Sequence, residues 1–504
     1  MSSLDDILAF LAQPETYGVA GPVERLETHS AYVFLAGERA YKIKKRVDFP
    51  YMDFSTLEKR RAACMAELEI NRRTAPDLYL AVQPVTDDGA LHLGGAAAAA
   101  VEWVVVMRRF PQEALFDRLA ARGALSPELM DGLADAVVAL HEAAERSVER
   151  GGKAAFGRYV EGNAAELERA IGDVFEARPV ARANQGCRAA LERLGDRLDQ
   201  RRAAGWVRRC HGDLHLRNIC LIDGAPTLFD AIEFNEDFAV IDILYDLAFL
   251  LMDLDHRGLA GHANRLLNRY LSHIGYDGLA ALPFMMACRA IIRAHVTGRL
   301  AEGQEDGAAA AGEARGYLDR ALSYLSPAPA RLIAVGGISG SGKSTLARAL
   351  APCIGAPPGA VVLRSDVIRK RLYGVAETER LPAAAYEWQV SVRVFAEIER
   401  RAEQVLRQGH AVIADAVYGN DGQRDGIAAV AGRLGVPFDG VWLEAPAAVL
   451  EQRVDARRGD ASDATAAVVR AQLSGIRPPR DWHRLDSSAG PDSALRAARQ
   501  ALGA

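Results

Sequence analysis

The chain has 504 residues, of which 61 are basic and 66 acidic, for a formal net charge of −5. This length exceeds what one hydrophobic core organises, which excludes a single compact domain. Apolar residues make up 50% of the chain and charged residues 25%, which excludes a disordered or fibrous protein, and the near-balanced charge gives no support to a nucleic-acid or membrane surface.

The six cysteines, Cys64, Cys187, Cys210, Cys220, Cys288 and Cys353, form no Cys-x-x-Cys pair. Neither a disulfide framework nor a zinc-ribbon spacing follows from them, and a reducing compartment suits them best. The first residues lack a basic start followed by an apolar core, and the alanine-rich run at 96–106 is broken by Glu102. No signal peptide and no membrane span are expected, and the expected location is cytoplasmic.

Strand-like runs of β-branched and aromatic residues occupy 30–45 and 78–106, while helical spacing of Leu, Ala and Val occupies 54–74, 126–149 and 160–202. A small strand-rich lobe followed by a helical lobe is the expectation. Ser326-Pro327-Ala328-Pro329-Ala330 ends the helical pattern just before an apolar run at 331–335. Two prolines so placed mark a boundary, giving an expected first domain at 1–327 and a second at 328–504. Basic and acidic residues number 38 and 47 before the boundary and 23 and 19 after it, so the second domain suits an anionic ligand. Within it, short apolar runs at 331–335, 360–364, 411–414 and 438–443 alternate with helical segments, the pattern of an α/β fold with a parallel sheet.

In the first domain, Ala40-Tyr41-Lys42-Ile43-Lys44 lies on an expected strand, whose period-two alternation puts Lys42 and Lys44 on one face. The helical run Cys64–Asn71 holds Glu67 and Glu69, and a strand lysine held by a helix glutamate is the ion pair that kinases set against ATP phosphates. Lys42 with Glu67 is the expected pair, with Lys44 and Glu69 as the alternative. His211-Gly212-Asp213-Leu214-His215-Leu216-Arg217-Asn218 is followed downstream by Phe229-Asp230. An aspartate, an asparagine five residues on, then a strand pair and a second aspartate is the arrangement with which kinases hold an acceptor hydroxyl and Mg²⁺. Asp213 is thus the expected catalytic residue, and Asn218 and Asp230, both hard oxygen donors, the expected Mg²⁺ ligands. A metal hydrolase with His211, Asp213 and His215 as ligands is the alternative, but it leaves Asn218 without a role and finds no further histidine motif to complete the set.

In the second domain, Gly337-Ile338-Ser339-Gly340-Ser341-Gly342-Lys343-Ser344-Thr345 fits the phosphate-loop pattern between an expected strand and an expected helix. Its backbone N–H groups and helix N-terminus suit phosphate, Lys343 reaches the β- and γ-phosphates of ATP, and the Ser344 hydroxyl suits Mg²⁺. The next strand runs into Ser365-Asp366, which places Asp366 to take a proton from an acceptor hydroxyl, with Arg369 nearby for an anionic group. A third strand ends in Asp415, a further candidate for Mg²⁺. Helix capping is the bland alternative for both aspartates. Arg453, Arg457 and Arg458 crowd a polar segment that ends at Asp463. Such a segment suits closure over a nucleotide, with Arg453 on the nucleotide and Arg457 on the transferred phosphoryl group; a solvated helix face is the alternative.

On the phosphate loop, Ser365-Asp366-x-x-Arg369 and the arginine-rich stretch to Asp463, residues 330–500 resemble the small P-loop kinases related to zeta toxins, polynucleotide kinases and gluconate kinases. On His211-Gly-Asp213-Leu-His-x-x-Asn218, Phe229-Asp230-Ala-Ile-Glu233-Phe and Asp242-x-x-x-Asp246-Leu-Ala, residues 25–300 resemble the aminoglycoside phosphotransferase family, small-molecule relatives of protein kinases. The second resemblance implies an α+β two-lobed kinase-like fold with ATP in the cleft and Val105–Met107 as the hinge strand at adenine. It further implies that Glu233 assists at the metal and that Asp242 and Asp246 brace the catalytic loop. Where that family carries a glycine-rich loop, Glu27-Thr28-His29-Ser30-Ala31-Tyr32-Val33 has no glycine.

Together the two sites imply a bifunctional phosphotransferase that uses ATP and Mg²⁺ and whose partners are small-molecule hydroxyl acceptors. One alternative is a nucleotide-sensing regulator with a single active kinase site. Another is a polynucleotide or nucleotide kinase in the C-terminal half, to which the positive balance there lends support.

Overall fold

The computed structural model of the chain describes every residue except Met1, Pro50, 302–306, Arg458 and Ala504. Arg458 of the arginine-rich segment therefore lies outside the described residues. The chain divides into two units, one of Met1–Tyr159 with Gly195–Asp253 and one of Val160–Leu194 with Leu254–Ala504.

The first unit is α+β. Strands β1 (Glu24–Glu27), β2 (Ala31–Ala36) and β3 (Arg39–Lys44) form an antiparallel meander, and a separate hairpin of β4 (Asp48–Phe49) and β5 (Met52–Asp53) follows. With β6 (Tyr79–Asp87), β7 (Leu91–Leu93) and β8 (Ala100–Arg108), the meander makes one six-stranded sheet in the order β1-β2-β3-β8-β6-β7. Side-chain alternation sorts its two faces. Phe34, Tyr41, Ile43, Val104 and Val106 pack against Ile7, Leu8 and Leu11 of the helix Leu4–Leu11, whose start is set by a capping box between Ser3 and Asp6. On the other face, Trp103 and Val105 pack against Cys64 and Leu68 of the helix Leu57–Asn71, capped by Thr56. Glu102, the residue that interrupts the alanine-rich run, is fully buried on β8, and Arg60 Nε of that helix meets it at 2.8 Å. A buried carboxylate needs such a partner, so this pair pins the helix that carries Glu67 to the strand beside Lys42.

Strands β9 (Val207–Arg209), β10 (Ile219–Ile222), β11 (Ala225–Leu228) and β12 (Val240–Asp242) complete the unit, β9 pairing with β12 and β10 with β11, both antiparallel. The segment His211–Asn218 runs between β9 and β10. Two helical expectations are shorter than their sequence pattern. The pattern at 160–202 is two helices, Gly152–Arg169 and Ala177–Ala203, interrupted where Gly172 N–H donates to Phe175 O in a tight turn. The pattern at 126–149 stops at Ala143 because the chain beyond it turns extended, and Ser147 N–H donates to Val207 O.

The second unit is α/β. Strands β13 (Leu332–Gly337), β14 (Val361–Arg364), β15 (Val412–Asp415), β16 (Phe438–Glu444) and β17 (His483–Asp486) form a parallel sheet in the order β14-β15-β13-β16-β17. The first four coincide with the four apolar runs, as expected of strands covered on both faces. The edge strand β17 is mostly exposed and polar, so no apolar run marked it. The opposite edge, β14, is closed by the helix Ala260–Ile274. Asn268 Oδ1 accepts from Val362 N–H at 2.7 Å, and Asn264 and Asn268 both donate to Ala360 O, at 3.1 and 3.2 Å. One helical stretch, Leu279–Leu300, is long and apolar enough to cross a membrane, but 72% of its most apolar window is buried inside the fold.

Gly440 on β16 lies against the indole of Trp482, a side chain 6% exposed, and a Cβ at 440 would come within 2.2 Å of ring atoms. Gly440→Ala is expected to destabilise this unit by about 1–3 kcal/mol through overpacking, read as earlier unfolding in urea by tryptophan fluorescence. Gly432→Ala, where a Cβ meets nothing within 4 Å, serves as the control and is expected to leave that transition in place or move it later.

Two candidate active sites

In the first unit β3 pairs with β8 so that Lys42 stands opposite Val105, and Ala40 opposite Met107. Residues directly opposite share a face, so Lys42, Lys44 and Met107 all look to the side on which the helix Leu57–Asn71 packs. Glu67, wholly buried on that helix, receives Lys42 Nζ at 2.8 Å and Lys44 Nζ at 2.5 Å. Both lysines thus share Glu67, and Glu69 takes no part. Lys42 also reaches Asp230 Oδ1 at 2.6 Å, and Lys44 reaches Glu233 Oε1 at 2.5 Å. Burial opposes charge on Lys42, but Asp230 and Glu67 outweigh it and hold the ammonium well above the usual lysine range. Burial likewise opposes the Glu67 carboxylate, and Lys42 and Lys44 hold it below the usual carboxylate range. On Glu233 burial wins over Lys44, and the carboxyl is raised.

Asp230 has φ of +60°, a left-handed conformation unusual outside glycine. It is held there from two sides: its own N–H donates to Tyr79 Oη at 3.2 Å, and the Ala231 N–H donates to Asn71 Oδ1 at 2.9 Å. The catalytic-loop segment is organised by Asp246. Its Oδ1 accepts from Gly212 N–H at 2.8 Å and its Oδ2 from His211 N–H at 3.1 Å, with His141 Nε2 also at 3.1 Å. Gly212 has φ of +86°, and a Cβ there would meet Phe238 O at 2.8 Å, so the turn requires glycine. Asp242, expected to brace the same loop, instead pairs with Arg201, Nε to Oδ2 at 2.7 Å and Nη2 to Oδ1 at 2.8 Å. It anchors the helix Ala177–Ala203 to the start of the helix Ile243–His256.

Burial pulls the His211 imidazole below the ordinary histidine range. The ring is neutral, with Nδ1 accepting from Asp213 N–H at 3.3 Å and Nε2 donating to Phe229 O at 2.9 Å. Both ring nitrogens are thereby used within the loop, and the metal-hydrolase alternative loses a ligand. Among the described residues, the His/Cys/Asp/Glu group close enough to hold an ion is His141, Cys210 and Asp246, whose aspartate is already taken by two backbone N–H groups. Asp213 is oriented by Asn218, whose Nδ2 donates to its main-chain O and to its Oδ2, each at 2.9 Å. That leaves Asn218 Oδ1, a hard oxygen, turned away from Asp213. A cavity of about 870 Å³ opens beside Arg108–Glu113 at the hinge end of β8, and neither Lys42 nor Asp213 lines it.

In the second unit the loop 337–342 leaves β13 and enters the helix Lys343–Leu350. Gly340 has φ of +87°, and a Cβ there would meet Leu450 O at 2.5 Å, so backbone passes where a side chain cannot. Ser341 is fully buried. Lys343 Nζ donates to Ile338 O at 3.1 Å. Burial lowers its ammonium against the pull of Asp415 and Asp366. Ser339, Gly340, Gly342, Lys343, Ser344 and Thr345 line a cavity of about 680 Å³, with Asp366, Asp415 and Arg457 on its other walls. Asp366 and Asp415 therefore face the phosphate loop together. Burial first and Asp415 second raise the Asp366 carboxyl, while Arg364 Nε stands 3.5 Å from Asp415 Oδ2. Arg369 donates to Ala385 O at 2.6 Å and lies over the Tyr386 ring at 4.8 Å.

Arg453 and Arg457 do not act as one group. Arg457 lines this cavity and a second one of about 250 Å³ behind Gly342 and Thr345, whereas Arg453 lines only the second, with Nη2 donating to Ser487 O at 2.8 Å. The sequence reading missed three residues that hold the arginine-rich segment over the site. Asp460 meets Arg364 Nη2 at 3.3 Å. Asp463 accepts from the wholly buried Lys370, from Leu381 N–H at 2.9 Å and from Tyr386 Oη at 2.6 Å. Gln472 Oε1 accepts from Ser339 N–H at 2.8 Å. No spacing rule singles out a glutamine 133 residues from its partner.

Residues 48–282 match the family model described as "Phosphotransferase enzyme family", and residues 332–479 match one described as "AAA domain". "Uncharacterized protein Rv2004c" of Mycobacterium tuberculosis and "Uncharacterized protein Mb2027c" of Mycobacterium bovis are each 34% identical over 481 residues, which is 92% of this chain and 92% of theirs. Solved structures similar to parts of the chain include a choline/ethanolamine kinase family protein from Mesorhizobium loti (17% identical, 64% of this chain and 98% of that one, TM-score 0.38). Another is a gluconokinase from Sinorhizobium meliloti (23% identical, 35% and 92%, TM-score 0.26). The chain belongs to the family of these mycobacterial proteins and carries, in one polypeptide, a phosphotransferase-family domain and a P-loop kinase-like domain.

Proposed function

We propose that the chain is a bifunctional ATP-dependent phosphotransferase, with one catalytic domain at 1–327 and one at 328–504, each passing a γ-phosphoryl group to a hydroxyl of a small molecule. The observation that carries this reading is the Asp213–Asn218 contact set beside the Lys42–Glu67–Asp230 cluster, repeated in kind by Asp366 facing Lys343. In the first site Asp213, fixed by Asn218, accepts the acceptor proton, and Lys42, kept cationic by two carboxylates, faces the phosphates. In the second, Asp366 accepts the proton, Lys343 and the loop N–H groups hold the phosphates, and Arg457 faces the phosphoryl group in transit.

Mg²⁺ fits the residues present, because the available groups are hard oxygens: Asp230 and Asn218 Oδ1 in the first site, Ser344 and Asp415 in the second. Bound with the nucleotide, it supplies neutralisation of phosphate charge. A regulator with a single active site is favoured by one feature, the tight β1–β2 turn. There Thr28 Oγ1 and Ala31 bond each other and no glycine lends its N–H to phosphate.

Asp213→Ala is expected to cut transfer at the first site by about 10²–10⁴-fold and leave the second intact, and Lys343→Ala to do the reverse. The measurement is label from γ-labelled ATP entering small molecules of an extract, resolved product by product. A regulator would instead bind nucleotide at two sites and give no product lost in Asp213→Ala.

The raised Asp366 carboxyl sets a pH dependence. Its base form is lost as pH falls through a pKa above the ordinary aspartate value of 3.8, so second-site transfer is expected to fall on the acid side earlier than a free carboxylate would dictate. A kcat/KM profile measured in the Asp213→Ala background checks this, and Asp366→Asn is expected to abolish the limb together with the activity.

A further inference from the structure

Residues 459–475 line the second site and are fastened at both ends. Asp460 and Asp463 hold them on the acceptor side, through Arg364 and Lys370 on either side of Asp366. On the donor side the helix Ala466–Gly475 packs through Val469 on Leu450 and Val454, pairs Arg470 with Glu451 at 2.6 Å, and reaches the phosphate loop itself through Gln472, whose Oε1 takes the N–H of Ser339 at 2.8 Å. Only the carboxamide oxygen accepts from a backbone N–H, so the orientation of the amide is settled and Nε2 points away from that bond. Among the described residues Nε2 has no protein partner, and Gln472 lines the same cavity as Lys343, Ser344 and Asp366. A loop built to present N–H groups to phosphate thus gives one of them to a side chain that itself lines that cavity and carries two further N–H donors.

We propose that Gln472 is a catalytic residue of the P-loop site, with Oε1 anchored on Ser339 N–H and Nε2–H donating to an oxygen of the γ-phosphoryl group during transfer. In that step the acceptor oxygen forms its bond to the γ-phosphorus as the bond from that phosphorus to the β–γ bridging oxygen breaks. The electron pair leaves with ADP, and the acceptor proton goes to Asp366. Gln472 exchanges no proton and contributes a hydrogen bond that strengthens as charge spreads over the equatorial oxygens. The assignment rests on the kinase reading of this site.

The test uses the full-length chain carrying Asp213→Ala, alone and with Gln472→Ala or Gln472→Glu. Three quantities are read: kcat for phosphoryl transfer to acceptor or to water, affinity for ADP, and affinity for ADP with aluminium fluoride, which mimics the phosphoryl group in flight. Gln472→Ala is expected to lower kcat by about 10²–10³-fold and the affinity for ADP–aluminium fluoride by a comparable factor, with ADP affinity changed by less than about threefold. Gln472→Glu, which sets a carboxylate against the phosphoryl oxygens, is expected to fall at least as far. Equal losses for ADP and ADP–aluminium fluoride, or a kcat within about threefold of the parent, overturn the assignment by making Gln472 a fastening of the loop alone. A parent chain that binds ADP but neither turns over nor gains affinity with aluminium fluoride overturns the kinase reading of the site, and the role of Gln472 with it.

Discussion

Glu67 holds a full negative charge out of reach of water, and two ammonium groups meet it, those of Lys42 and Lys44. A buried ion left alone costs several kcal/mol, so this carboxylate cannot keep its place unless both strand and helix keep theirs. The first site inherits its geometry from that requirement. Arg60 on Glu102 sets the helix against β8, and β8 sets β3 by backbone pairing. Asn71, at the end of the same helix, then fixes the chain at Ala231 beside Asp230. Lys42 so placed reaches Asp230, and Lys44 reaches Glu233. One buried glutamate therefore orders two ammonium groups and, through them, the carboxylates of Asp230 and Glu233.

The second site meets the same constraint with another division of charge. Asp366, Asp415 and Lys343 share one cavity, and burial raises the Asp366 carboxyl and lowers the Lys343 ammonium. Relief comes from Arg364, whose guanidinium lies between Asp415 and Asp460. The arginine that steadies the acid beside the reacting centre thus also holds the segment crossing it. Burial thus leaves Asp366 and Lys343 both shifted toward their uncharged forms in one cavity.

Motifs whose chemistry demands a fixed local spacing were legible in the sequence. The phosphate loop, Asp213 with Asn218, and the pairing of Lys42 with Glu67 all follow from strand or helix period plus a short distance along the chain. Four of the five strands of the parallel sheet were legible because burial on both faces writes an apolar run; β17, exposed at the edge, wrote none. Lys44 was read as a substitute for Lys42, since sequence cannot show that a single carboxylate has two oxygens to share. Asp242 and Asp246 looked alike at four residues apart, yet Asp246 accepts the backbone N–H groups of the catalytic-loop segment at His211 and Gly212, while Asp242 accepts the N–H of Leu244 on its own helix start and meets an arginine 41 residues earlier. Asp460, Asp463 and Gln472 were illegible for the same reason: their partners lie about a hundred residues away and are chosen by the fold.

The family matches end at 282 and begin again at 332, and the proline-rich stretch at 326–330 lies between them. Packing does not stop at either limit. Asn268, inside the first match, offers one donor and one acceptor to two residues of the chain around β14 in the manner of a neighbouring strand, and Asn264 adds a second donor to Ala360. An open edge strand is a liability that proteins cover, and here the cover is a helix that the sequence assigns to the other domain. Further along the same connection, Arg371 donates to Ser272 O and Gln408 to Tyr276 O, so the helix that carries Asp366 and Arg369 is tied to that cover as well. Removing residues 254–327 would strip hydrogen-bond partners from β14 and a tether from the helix after it, directly beside Asp366. The second unit therefore takes in residues upstream of the proline-rich stretch, because the edge of its parallel sheet is closed by a helix that lies inside the first family match.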